Sequence, residues 1–193
     1  MNRIITHGVV LLIGLALGIV ASPYLLSSTV TRHVEKSTIT ITEYSGSGRQ
    51  IVEYCFSPGG NCDQILIKYI TQAKSSIHIL IFEFTLRNVM SSLIAASDRG
   101  VEVKLVMDRS ESRRSASLYP ELKQRGFDVR IANVAGIMHD KVAIIDAQYV
   151  IEGSFNYSNA AVTSNAENLV VINDASVAQT YQNQFQQLYD RAT

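Results

Sequence analysis

The sequence is poor in net charge, cysteine and histidine, and each scarcity narrows what the protein can be. Lys and Arg total 17, as do Asp and Glu. A globally basic nucleic-acid binder is therefore excluded, although a zero sum leaves room for a local basic patch. Only 18% of residues are charged and 47% are hydrophobic. Such a chain has enough apolar surface to bury a core, so disorder is excluded over most of its length. The two cysteines, Cys55 and Cys62, have no further Cys or His nearby in sequence to complete a zinc site. No carboxylate cluster suggests a divalent metal, and there is no internal repeat; neither a metal nor another cofactor is expected.

What is present begins with Arg3 and an uncharged apolar run from Gly8 to Ala21, followed by Ser22-Pro23. A short positive end before a short apolar core describes a signal peptide over residues 1–22. Counted from Ile4 to Leu26, the run is also long enough for an uncleaved anchor with its Arg3 end in the cytoplasm. Either reading puts the rest of the chain outside the cytoplasm, as a periplasmic or secreted protein or one anchored to the inner membrane. Residues 23–50 read as a Ser/Thr-rich linker ending near the flexible Ser45-Gly46-Ser47-Gly48. The alternation of Ile39 and Ile41 with threonines leaves a strand over Ser37–Glu43 open. Between the cysteines, Pro58, Gly59 and Gly60 favour a turn. Export would let Cys55 and Cys62 form a disulfide, and two reduced, partly buried thiols are the alternative.

From Ile51 to the C-terminus strands and helices alternate. Strands are expected at Ile51–Ser57, Ser76–Phe84, Val101–Asp108, Asp128–Ala132, His139–Asp146, Tyr149–Glu152 and Glu167–Asn173. Helical spacing marks Asp63–Lys74, Asn88–Arg99 and Ser117–Arg125. Asp174 would cap a closing helix carrying Val177, Tyr181, Phe185 and Leu188. The pattern argues for a single α/β domain over residues 51–193. Its mixed, largely parallel sheet would be flanked by helices, and the near-continuous apolar strands fit a sheet buried on both faces.

Within that domain, His139 and Lys141 are two residues apart, which on a strand places them on one face. Apolar Val142–Ile145 follow, then Asp146 at a turn. Gly153, Ser154, Asn156, Glu167 and Asn168 come next. Gly153 would let the backbone approach a ligand closely, Ser154 and Asn156 offer neutral donors, and Lys141 offers a positive charge. Together these groups suit a phosphate diester.

The segment His139-Asp140-Lys141-Val142-Ala143-Ile144-Ile145-Asp146, six more residues, then Gly153-Ser154-Phe155-Asn156, resembles the signature of the phospholipase D superfamily. Asn165-Ala166-Glu167-Asn168, Cys55-Phe56-Ser57-Pro58-Gly59-Gly60 and Arg99-Gly100-Val101-Glu102-Val103 resemble further elements of it. The resemblance runs from about Ile51 to the C-terminus. It implies the phospholipase D fold and a phosphodiesterase in which His139 attacks phosphorus to give a phosphohistidine. Lys141, Ser154 and Asn156 would steady the phosphate, Glu167 would orient an imidazole, and Asp146 would hold the turn. A second histidine is needed to protonate the leaving oxygen, but none of His7, His33 and His78 has Lys two residues on. The chain thus resembles the single-motif bacterial branch, which assembles one site across a homodimer.

That branch includes nonspecific endonucleases, which favours DNA or RNA as substrate. Arg109, Arg113 and Arg114, in the loop after Asp108, would grip the nucleic-acid backbone; a solvated charged loop is the alternative. A phospholipase D acting on membrane lipid is the rival reading, and a non-catalytic membrane-tethered binding module a more distant one.

Overall fold

The computed structural model describes residues 28–34, 37–43 and 51–193. The expected signal peptide or anchor over 1–22 lies outside them. Among the described residues no helix is long and apolar enough to cross a membrane. The described chain divides into an N-terminal hairpin and the domain that follows, each taken by itself.

In the hairpin, β1 (Ser28–Val34) pairs antiparallel with β2 (Ser37–Glu43), from Ser28 opposite Glu43 to Val34 opposite Ser37. The strand left open at Ser37–Glu43 is thus present, and it has a partner inside the stretch read as linker. Both strands alternate Thr with other residues, many of them β-branched, a composition suited to pleated backbone.

The domain is one sheet of seven strands between helices. β3 (Ile51–Ser57) leads into α1 (Cys62–Gln72), β4 (Ser76–Ile81), α2 (Arg87–Asp98) and β5 (Glu102–Met107). The short α3 (Arg109–Ser112) and α4 (Tyr119–Gln124) precede β6 (Asp128–Ile131). Then come β7 (Lys141–Ile145), β8 (Tyr149–Gly153), α5 (Asn159–Thr163), β9 (Glu167–Asn173) and α6 (Ala175–Arg191). The spatial order is β3-β9-β8-β7-β4-β5-β6. The helices α3 and α5, one or two turns each, carry too little periodicity to be seen in sequence.

The expected mixed α/β sheet is present, but its balance needs correcting. Strands β3, β4, β5, β6 and β8 run one way, and β7 and β9 run against them. Because the two reversed strands are interleaved, only β4–β5 and β5–β6 are parallel neighbours, while the other four pairs are antiparallel. Parallel neighbours need a crossover, which α2 and the α3–α4 stretch supply; a tight turn joins β7 to β8 and can only reverse the chain.

Alternate residues of the central strands feed two cores. Ile77, Ile79 and Ile81 of β4 pack with α1 and α2 residues such as Leu66, Ile70 and Leu93. Leu80 joins Val106, Val142, Ile144 and Val150 under Ala178, Phe185 and Tyr189 of α6. This burial on both faces explains the unbroken apolar runs. His78 lies on the α6 side, stacked on Phe185 with ring centroids 4.8 Å apart. Gln182 and Glu102 engage its two nitrogens, so it is a packing histidine. Asp174 caps α6 as expected, accepting from the N–H groups of Ser176 and Val177.

Cys55 and Cys62 are bonded, with Cα atoms 5.6 Å apart. Gly60 makes the intervening turn feasible, because a Cβ there would lie 2.0 Å from the carbonyl oxygen of Phe56.

The turn from β7 to β8 puts Asp146 and Ala147 at φ 55° and 51°. Asp tolerates this left-handed region better than most residues, Ala does not. The turn is held by the Asp146 carboxylate, which accepts from the N–H groups of Lys74, Ser75 and Ser76 at 2.7–3.1 Å and from Ser75 Oγ at 2.9 Å. Burial pushes its pKa up, but the N–H groups of Ser76, Ser75 and Lys74 outweigh that and hold it below the ordinary 3.8. A carboxylate lowered in this way stabilises the fold fully above its ordinary value and loses that contribution as pH falls through its lowered one. Asp146→Ala is expected to cost about 2–3 kcal/mol at neutral pH, read as a lower urea midpoint. The gap to wild type should narrow on acidification below about pH 4.

Candidate active site

The reversal of β7 and β9 brings their starts to the same end of the sheet as the finishes of β3, β4, β5 and β8. At that end an open cleft of about 520 Å³ is lined by His139, Lys141, Glu152, Gly153, Ser154, Asn156, Glu167 and Asn168. Side chains far apart in sequence thus meet because strand direction puts their elements' ends together.

His139 is not on the strand, as its spacing from Lys141 suggested. β7 begins at Lys141, and His139 lies in the extended stretch before it. Three contacts hold that stretch. Asp108 Oδ2 accepts from Met138 N at 2.9 Å, Asp140 O accepts from Phe82 N at 3.0 Å, and Lys141 Nζ donates to His139 O at 2.7 Å. The Phe82 ring meets the imidazole edge-on at 4.5 Å. The imidazole is exposed to the cleft while its backbone is pinned on both sides.

Asp108 was not seen as a site residue in the sequence. It is 2% exposed, and its other oxygen caps α3 by accepting from the N–H groups of Ser110 and Glu111. Burial raises its pKa, but hydrogen bonds from Ser110, Met138 and Glu111 outweigh this and leave it lowered. The signal available in sequence was the helix-start pattern of an Asp at a strand end just before Ser110-Glu111.

Lys141 is 7% exposed. Burial lowers its pKa, while the charges of Glu167 and Asp140 oppose that shift. A poorly hydrated ammonium beside a cleft binds an anion more strongly than one in bulk water. Its Nζ also sits 5.1 Å from the Phe82 ring centre.

Glu167 accepts from Ser154 Oγ at 2.5 Å and from Asn165 Nδ2 at 3.0 Å. Ser154 Oγ in turn accepts from Asn168 N at 3.1 Å. The partners that fix the Glu167 carboxylate among the described residues are therefore Ser154 and Asn165. Asn156 Oδ1 is buried with no hydrogen-bond partner among the described residues.

Gly153 lines the cleft and also allows a close approach to β9. A Cβ there would lie 2.2 Å from the carbonyl oxygen of Asn168. Asp146, grouped with the catalytic motif and expected to hold a turn, holds one at the opposite end of β7 from Lys141. The strand's length, roughly 17 Å at 3.3–3.4 Å per residue, keeps it out of the cleft.

Arg109, Arg113 and Arg114 do not line the cleft either. They follow β5, and β4 stands between β5 and β7. Arg109 donates to Asn133 and Arg114 pairs with Glu111, while Arg113 is exposed. Glu152, which had no role in the sequence reading, lines the cleft because it ends β8 beside Gly153.

The family described as "Cardiolipin synthase, PLD-like domain" matches residues 66–189, and the chain belongs to this phospholipase D-like family of phosphodiester hydrolases. Among proteins similar to it is a phospholipase D of Rickettsia prowazekii, 36% identical over 93% of this chain and 90% of that protein. A mitochondrial cardiolipin hydrolase of Chlamydomonas reinhardtii is 31% identical over 75% of this chain and 64% of its own. Of solved structures, the phospholipase D family member Nuc from Salmonella typhimurium superposes with a TM-score of 0.70 at 34% identity, covering 73% of this chain and 95% of that one.

The tight packing at Gly153 gives a direct check on the cleft. Gly153→Ala should force β8 from β9 at the cleft wall, lowering thermal stability by about 2–4 kcal/mol. Phosphodiesterase activity should fall further than the loss of folded protein explains.

Proposed function

We propose that the protein hydrolyses phosphodiesters through a covalent phosphohistidine on His139, with membrane phospholipid as its substrate. The observation that carries the chemistry is the exposed, backbone-clamped imidazole of His139 sharing one cleft with the buried cation of Lys141. An imidazole nitrogen of His139 attacks phosphorus, the bond to the leaving oxygen breaks, and that oxygen takes a proton from a second imidazole. The second imidazole then deprotonates water, which attacks phosphorus and releases His139. Lys141 and the N–H donors of the Asn156 amide, both in the cleft lining, would meet the charge that builds on the phosphoryl oxygens.

The second imidazole comes, in this reading, from His139 of a second copy across a two-fold axis. The only other histidine with a described side chain is His78, which is stacked on Phe185 on the α6 side of the sheet. Glu167, already braced by Ser154 and Asn165, would orient that incoming ring. A site shared in this way predicts specific activity that falls on dilution as the dimer dissociates.

Phospholipid is favoured by the charge of the cleft. Beside His139 its ionisable lining is Lys141, Glu152 and Glu167, a poor track for a polyanionic strand but enough for one headgroup phosphate. The relatives named phospholipase D and cardiolipin hydrolase point the same way. An endonuclease is the second reading, favoured by Arg109, Arg113 and Arg114 at the same end of the sheet.

Wild-type protein is expected to cleave phosphatidylcholine vesicles in EDTA, and His139→Ala to lose at least about a thousandfold. Trapped enzyme should carry the mass of a phosphatidyl group on His139. Nicking of plasmid DNA with vesicles left intact would instead establish the second reading. Cleavage that persists in the His139 variant would remove the residue from the mechanism.

A further inference from the structure

Four of the five exposed large hydrophobic residues of the domain are on β3: Ile51, Val52, Tyr54 and Phe56, at 43–66% exposure. β3 is an edge strand, and Val52, Tyr54 and Phe56 alternate with Cys55 and Ser57, which face inward. The outward residues therefore form one apolar stripe along the strand, with the rings of Tyr54 and Phe56 in edge contact at 6.2 Å. No charged residue interrupts it, since the side chain of Glu53 is paired with Lys68 of α1.

The stripe leads to the cleft. Tyr54 is opposite Val170 and Phe56 is opposite Asn168, a cleft residue. The fifth exposed hydrophobic, Ile137, lies two residues before His139. Exposed apolar side chains thus occur both along β3 and close in sequence to His139. The chain reaches β3 through residues 22–50, which follow the apolar run Gly8–Ala21.

We infer that the β3 stripe docks the domain on a phospholipid bilayer, with Tyr54 and Phe56 in the interfacial layer and the cleft mouth turned to the headgroups. Exposed aromatics on a continuous apolar patch are suited to that layer. A segment such as Gly8–Ala21, held in the same bilayer, would keep β3 close to it. The inference rests on the phospholipid reading of the cleft, but docking can be measured without turnover.

The chain has no tryptophan, so Phe56→Trp in the full-length protein provides a single reporter. Vesicles of phosphatidylethanolamine and phosphatidylglycerol should shift its emission to the blue, and brominated acyl chains should quench it. A tryptophan at Lys123 of α4, away from the stripe, should respond to neither. Tyr54→Ser with Phe56→Ser should lower vesicle hydrolysis roughly tenfold to a hundredfold and leave bis(4-nitrophenyl) phosphate hydrolysis unchanged, which also shows that the variant is folded. An unmoved, unquenched signal at position 56 would overturn the inference. So would a blue-shifted signal before vesicles are added, because a second copy or another part of the chain would then cover the stripe. Quenching without lipid hydrolysis would preserve the docking surface and refute the phospholipid reading; hydrolysis without quenching would do the reverse.

Discussion

Lys141, 7% exposed, stands at the first residue of a strand buried along its whole length. A buried cation is tolerated only where dipoles and opposite charges surround it. Here the carbonyl of His139 accepts its proton, the Phe82 ring lies beside it, and Glu167 and Asp140 supply negative charge. These demands shape the end of the sheet. Glu167 must start β9 next to β8, β8 must finish at the same end, and the His139 carbonyl must turn back toward its own second neighbour. The bond that satisfies the lysine therefore also orients the backbone of His139.

The same end of the sheet is stiffened from beneath. Asp108 joins the cap of α3 to the residue before His139, so α3 and the segment that carries His139 are tied to the end of β5. At the other end of β7, Asp146 fastens the hairpin turn to the residues that open β4. The strand carrying the chemistry is thus held at both ends by carboxylates that accept backbone N–H groups.

Much of this was legible in the residues. Strands β3 and β9 fall where alternation and apolar runs placed them, since those signals come from burial itself. His139, Lys141, Ser154, Asn156 and Glu167 converge in one cleft, as their joint spacing implied. Less legible was what depends on strand direction. Nothing local in β7 states that it runs against β4, so the share of antiparallel neighbours was underestimated. Asp146 was grouped with His139 because they are seven residues apart in sequence, although a strand's length separates them in space. Arg109, Arg113 and Arg114, drawn toward the substrate by charge and by their place after a strand end, lie at the cleft's end of the sheet but outside its lining, with β4 between. Asp108 was overlooked because a capping aspartate looks the same whether or not its second oxygen has a further task.

The Cys55–Cys62 bond closes a short loop where β3 hands over to α1. A cross-link over so few residues removes about 2.5 kcal/mol worth of freedom from the unfolded chain by the loop-entropy account. Its location matters more than its size, because β3 has a strand neighbour on one side only and the bond ties its end to α1. The register of Ser57 with Glu167 hangs on that same corner. Folded where thiols stay reduced, the chain would keep its central strands yet lose the staple on its outer one. The compartment's redox state thereby enters the quality of the catalytic wall.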